Sequence, residues 1–241
     1  MTAAHTEVPR RERARTATIE EIKATALELM RETGTTDARF TDIARVMGMT
    51  PPALYRYFGD HDELLTALII DAYDNLGRTV AEARDTVGAN DLGGRWHAAA
   101  EAYRRWAARE PQQFSLIFGL PVPGYVAPEE GSTTEAASRA MSQLAELFAE
   151  AHHTGKLRHA LIREVEPELS ECVEGDPKFG SIPAENFQAM LHAWASLHGF
   201  TCLEAFNHLN WMEPEARDAL FRAQVRLAAK AAGLPAPAGV R

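Results

Sequence analysis

The stretch Phe40–Gly59, FTDIARVMGMTPPALYRYFG, decides how this chain is read. Thr41 is placed to cap a short helix by satisfying a backbone N–H that would otherwise be orphaned. Ile43, Ala44 and Met47 give that helix an inward face, with Ala44 small where a crossing helix must come close. Gly48, four residues after Ala44, suits the left-handed conformation that ends a helix and begins a tight turn. A second short helix then opens with Thr50 as N-cap and Pro51 at its first position, where the missing N–H would be unpaired anyway. At about 100° per residue Leu54 and Phe58 share one face and turn inward, while Pro52, Ala53 and Arg56 point the other way, flanked by Tyr55 and Tyr57. Two short helices joined by a glycine turn over a shared apolar core have the mechanics of a helix-turn-helix.

Outward from this stretch almost everything reads as helix. Thr18-Ile-Glu-Glu21 is a capping-box pattern, and Ile22, Ala26, Leu29 and Met30 follow at helical spacing until Gly34. Asp60-His-Asp-Glu63 is another capping box, opening a long helix through Leu64, Leu65, Leu68, Ile69, Tyr73 and Leu76 to about Val87. Gly88–Gly94 breaks it. Trp96, Tyr103 and Trp106 then lie on a helix to about Arg109, and Pro111 starts a short apolar one. Residues 119–131 form an ordered loop with three prolines and three glycines, helices are expected over 132–155 and 157–173, and residues 174–183 are a second loop. Two final helices span 184–209 and 214–232.

With no strand and no repeat in evidence, the expectation is an all-α chain of about nine to ten helices. It divides into a flexible N-terminal arm (1–16), a three-helix helix-turn-helix head (17–60), a helical body (61–233, with 61–87 as its connecting helix) and a flexible tail (234–241).

Composition narrows the function. The 241 residues are 46% hydrophobic and 24% charged, ordinary for a soluble globular protein. No run is long and apolar enough for a membrane span, and the polar N-terminus lacks a signal-peptide core, so a cytoplasmic protein is expected. Cys172 and Cys202 stand in no metal or redox spacing, which favours buried thiols. The nine histidines include no His-Glu-x-x-His pattern, and there is no glycine-rich phosphate loop or nucleophile elbow. No enzyme activity, metal or cofactor is expected. The net charge of −9 speaks against a nucleic-acid partner until its distribution is considered: residues 1–58 carry +1 and the remainder −10. Screening confines the repulsion of the acidic part to roughly 8–10 Å.

Residues 40–69, FTDIARVMGMTPPALYRYFGDHDELLTALI, resemble the DNA-binding head of TetR-family transcriptional regulators: Thr-Asp-Ile-Ala at 41–44, Gly48, Leu-Tyr-x-Tyr-Phe at 54–58 and Glu-Leu-Leu at 63–65. Residues 192–199, HAWASLHG, and FGLPVPGY at 118–125 resemble a Trp-x-x-x-His-Gly subgroup more weakly. The resemblance implies phosphate contacts from Thr41, Tyr55 and Tyr57, which fix register without reading sequence. Thr50, Pro51, Pro52 and Ala53 would then lie nearest the bases, as the first residues of a recognition helix do. Arg56 is placed either for a bidentate guanine contact or for a phosphate, and its bland reading is a solvated charge. Pro52 departs from the family pattern, and the two prolines leave fewer backbone donors and more apolar surface. His61 stands where the family usually has lysine, so DNA affinity should depend on pH more than in a lysine-bearing relative. Arg10, Arg11, Arg13 and Arg15 form either a DNA-binding arm or a solvated tail.

For the body, the resemblance implies a homodimer through about 184–209 and 214–232, a palindromic double-stranded operator, and a repressor released by a small molecule. A ligand-independent activator or adaptor is the alternative. Trp96, Tyr103, Trp106, Phe114, Phe118 and Tyr125, with Trp194 and His198, are the candidate lining of a largely hydrophobic effector pocket. A packed core explains each of these residues without a ligand, and Trp194 and His198, at i and i+4, fit one buried helix face.

Overall fold

The computed structural model describes residues 9–120, 125, 131–174 and 182–238. The expectations for residues 1–8, for most of the 119–131 and 174–183 loops, and for 239–241 lie outside the described residues. Among the described residues the chain is all-α, with ten helices and no strand: α1 (Arg10–Thr33), α2 (Phe40–Val46), α3 (Pro51–Leu54), α4 (His61–Asp85), α5 (Leu92–Arg109), α6 (Pro111–Phe118), α7 (Ser132–His153), α8 (Pro167–Glu174), α9 (Ala184–Ala205) and α10 (Pro214–Ala231). They fall into two compact units, Met1–Ala72 with Gln112–Thr134, and Tyr73–Pro111 with Glu135–Arg241. The sequence suggested a division near residue 60; the units part inside α4 instead.

The first unit is organised around Ile22, Ala26 and Met30 of α1, Phe40, Ile43 and Ala44 of α2, Leu54 and Phe58 at α3, and Leu64, Leu65 and Leu68 of α4. Ile22, Ala26, Met30 and Ile43 are wholly excluded from solvent. The α2–α3 turn is a Schellman motif: Gly48 has φ +65°, its N–H bonds to the Arg45 carbonyl at 3.3 Å, and the Met49 N–H bonds to the Ala44 carbonyl at 2.9 Å. A side chain at that φ is strained, which is why glycine occupies it. The Asp60 carboxylate accepts the Glu63 N–H at 2.8 Å, the forward half of the predicted capping box, while Glu63 reaches back to the N–H of Gly59, one residue before the cap.

Three local expectations are corrected here. α1 begins at Arg10 behind Pro9, so residues 10–16 are helical and not a flexible arm. Thr18 caps nothing; its hydroxyl donates to the Ala14 carbonyl at 3.0 Å inside the helix. Thr41 lies one residue inside α2, whose N-cap is Arg39, and no side chain caps that helix.

The second unit packs α5, α7, α8, α9 and α10 around Trp96, Phe148, Phe187, Met190, Leu197, Phe221 and Val225. The Trp96 indole N–H finds the Val225 carbonyl at 3.0 Å, and that of Trp106 finds Asn75 Oδ1 at 2.6 Å. Arg104 ties α5 to α9 and α10, with nitrogens 2.5 Å from Glu204 and 2.9 Å from Asp218 and its guanidinium over the Phe221 ring.

The expected helix over 157–173 is shortened to α8. Residues 157–166 are not helical, because their backbone pairs elsewhere: the Arg158 N–H with the Gly233 carbonyl and the Leu161 N–H with that of Ala231. The tail is also not loose throughout. Leu234 is buried, and the Ala238 N–H bonds to Asp91 Oδ1 at 3.0 Å. Gly233 makes this possible, with φ +82° and no room for a Cβ, which would lie 2.1 Å from the Arg158 carbonyl oxygen.

Candidate functional site

In the first unit the structure separates the two faces of α3 as the sequence pattern requires. Leu54 and Phe58 are buried, whereas Thr50, Pro51, Pro52, Tyr55 and Arg56 are exposed and Ala53 and Tyr57 are half-buried. Thr50 is the N-cap, but its side chain makes no capping bond, which leaves the hydroxyl for another partner. The Ala53 N–H is taken by the Thr50 carbonyl at 2.8 Å, so it is no free donor to a phosphate. Tyr55 is 56% exposed, with its ring tilted against that of Phe40 at 5.1 Å between centroids. Thr41 is exposed on α2.

His61 opens α4 with Nε2 3.0 Å from Asp37 Oδ1 and its ring 6.1 Å from Phe40. Asp37 was not singled out from the sequence, because its proximity to residue 61 arises only when α2 folds back on α1. The imidazole of His61 therefore has a carboxylate beside it.

In the second unit a cavity of about 60 Å³ is lined by Leu76, Val80, Trp96, Tyr103, Met141 and Trp194, among others. Gln143 is the polar side chain of an otherwise mainly apolar wall. Trp194 and His198 stack, 5.2 Å between centroids at 18°, and the Tyr103 hydroxyl lies 2.7 Å from His198 Nδ1. Burial pushes the imidazole below its ordinary value and the phenol well above its own, the latter helped by Cys202. Both are thus neutral near pH 7, the hydroxyl and Nδ1 form one hydrogen bond, and His198 Nε2 lies 3.4 Å from Cys202 Sγ. Burial also raises the Cys202 thiol, so it is a poor nucleophile.

Of the expected pocket set, Trp96, Tyr103 and Trp194 line this cavity, and His198 supports it through Tyr103. Trp106 is fully buried and bonded to Asn75. Phe114, Phe118 and Tyr125 belong to the first unit, where Phe114 and Phe118 pack at 5.4 Å and the Tyr125 hydroxyl lies 3.1 Å from that of Thr66. The expected set therefore draws on residues of both compact units. The lining from α4 and α7 was missed; a Leu76–Val80 pair at i, i+4 facing Met141 and Leu144 was the available signal. Among the described residues no group of His, Cys, Asp and Glu is arranged to hold a metal ion, and no helix is long and apolar enough to cross a membrane.

A helix-turn-helix with one buried and one exposed face, attached to a helical body, defines a DNA-binding transcriptional regulator. Residues 22–68 match the profile described as bacterial regulatory proteins, tetR family, and residues 96–228 match the tetracyclin repressor-like C-terminal domain. The chain belongs to the TetR family of transcriptional regulators, which are not enzymes. It is similar to the HTH-type transcriptional regulators Rv1816 of Mycobacterium tuberculosis (strain ATCC 25618 / H37Rv) and Mb1846 of Mycobacterium bovis, each 33% identical over 214 residues that cover 86% of this chain and 91% of theirs. The crystal structure of SCO4313 aligns with a TM-score of 0.73 at 31% identity, over 92% of this chain and 98% of that one. A protein from Rhodococcus sp. RHA1 shares the fold, with a TM-score of 0.63 at 19% identity over 93% of this chain and 98% of that one.

Proposed function

We propose that this regulator is a cytoplasmic repressor that binds a palindromic operator as a homodimer and is released by a small, largely hydrophobic effector. The observation that carries the reading is the exposed face of α3, on which Pro51, Pro52, Tyr55 and Arg56 stand clear of the core that holds Leu54 and Phe58. Thr50, Pro51, Pro52 and Ala53 meet the major-groove edges, where ring and methyl carbons suit thymine methyls. Thr41, Tyr55 and Tyr57 bond backbone phosphates, and Arg56 takes a guanine or a phosphate. Homodimerisation through α9 and α10 is supported by Leu191 and Leu203 on α9 and Leu220 and Leu227 on α10, all exposed.

The effector enters the cavity beside Trp96, Tyr103 and Trp194. At about 60 Å³ it is smaller than the roughly 150 Å³ that holds a benzene ring, so a ligand must enlarge it. A ligand that binds only the enlarged state shifts the equilibrium away from the DNA-competent one, by a coupling of typically about 1–3 kcal/mol. The small cavity also favours a second reading, a ligand-independent activator or adaptor that stays on its DNA. Selecting bound sites from random duplexes with purified protein tests the proposal. The expected product is a two-fold symmetric site with half-sites about 34–36 Å apart or a multiple of that, released by an apolar compound. Enrichment of an asymmetric site, or none, refutes the dimeric operator, and release only by charged compounds refutes the effector class.

A further inference from the structure

The helical start of α1 runs past the far end of α3. Arg15 donates from Nη1 to the Arg56 carbonyl at 2.8 Å, across 41 residues of sequence, and its guanidinium lies 5.3 Å from the centre of the Tyr57 ring. The carbonyls of Ala53 and Leu54 take the N–H groups of Arg56, Tyr57 and Phe58, so the turn that follows α3 is bonded to the helix. Arg15 bonds that turn at the Arg56 carbonyl and holds by its ring contact one of the two tyrosines that flank α3.

The same contact walls a surface groove of about 680 Å³ lined by Arg11, Glu12, Arg15, Arg56 and Tyr57, among others. Three guanidinium groups meet one carboxylate there. Arg11 and Arg56 make no ion pair among the described residues, so the groove keeps an uncompensated positive charge beside the end of the recognition helix. An anion with several acceptor oxygens relieves the repulsion among these groups and accepts their fork-shaped donors.

We propose that Arg15 is a positioning residue for α3, and that the groove it walls seats one DNA backbone phosphate through Arg11 and Arg56. The positioning role stands on the free protein alone, whereas the phosphate rests on the DNA-binding function proposed above. The N-terminal arginines are thus part of the reading head, carried on a helix whose register fixes Arg15 against α3.

Two measurements test this separately. Amide hydrogen exchange of the free protein compares the wild type with Arg15→Ala and Arg15→Gln. In Arg15→Ala the amides of Arg56–Phe58 exchange about tenfold faster while those of Met30 and Leu68 keep their protection. Arg15→Gln keeps an N–H donor for the Arg56 carbonyl and regains part of the protection. Unchanged exchange at Arg56–Phe58 in Arg15→Ala overturns the positioning role, whatever the protein does with DNA. Fluorescence anisotropy over a salt series then uses a duplex carrying the selected site and a scrambled duplex. Arg11→Ala reduces the slope of log K against log salt by about 0.9 on both duplexes, the value of one phosphate contact. Arg15→Ala weakens the selected duplex about tenfold more than the scrambled one, because it disturbs the reading helix. An unaltered slope in Arg11→Ala overturns the phosphate seat, and parallel weakening of both duplexes by Arg15→Ala overturns the claim that this positioning serves sequence reading. A wild type that binds neither duplex overturns the phosphate seat together with the DNA reading, and leaves the exchange data to decide Arg15.

Discussion

Replacing Gly48 by alanine separates the geometry of the reading head from its stability. Gly48 has φ +65° and a Cβ built there meets no atom within 4 Å, so the substitution adds no clash and its cost is conformational. An L-residue in the left-handed region costs about 1–2 kcal/mol, offset in part by about 0.4–1 kcal/mol from the reduced freedom of the unfolded chain. The net loss is therefore about 1 kcal/mol. Gly34, at the end of α1, supplies an internal control with φ +68° and equally open space. Both variants should lose about 1 kcal/mol in urea unfolding followed by circular dichroism. Only Gly48→Ala should also weaken operator binding, by about tenfold in anisotropy, because the Gly48-to-Arg45 and Met49-to-Ala44 bonds set the direction in which α3 leaves α2. If Gly34→Ala weakens operator binding as much as Gly48→Ala, or if neither loses stability, the reasoning is wrong.

Other outcomes follow from the same geometry. Leu54→Ala removes a side chain 1% exposed and should cost about 2–5 kcal/mol of stability in the first unit, read by hydrogen exchange at Met30. The depressed affinity of half-buried His198 for protons makes the unfolded state bind more protons below its ordinary range, so stability falls as pH drops through about 6.5. His198→Asn should flatten that part of the pH profile, and an unchanged profile would contradict the assignment.

The reading head was legible because its signals are local. The glycine at position 48, the small Ala44 and the Leu54–Phe58 spacing act within a few residues, and each keeps its expected place. The start of α1 was hidden because residues 10–17 form helix without an apolar period, so the capping-box pattern at Thr18 looked like a beginning. The segment after Leu157 carries apolar residues at helical intervals, yet its N–H groups find the carbonyls at the end of α10, a partner some seventy residues away. The same distance hid the packed tail, where Leu234 is buried against the second unit's core. In the candidate cavity, residue type pointed to Trp96, Tyr103 and Trp194, while aliphatic walls from α4 and α7 gave no sign of which faces would meet. Aromatic side chains mark burial, but only tertiary packing says against what.

The central claim, that the exposed face of α3 reads DNA, is tested most directly by the double variant Tyr55→Ala/Arg56→Ala on the duplex selected by the wild type. Both residues are exposed, so the helical content should stay that of the wild type, with the lost Tyr55–Phe40 ring contact costing about 0.5–1.5 kcal/mol of stability. The account predicts that affinity for the selected duplex falls at least about tenfold, toward that for a scrambled one. A double variant that keeps its fold and binds the selected duplex as tightly as the wild type contradicts it.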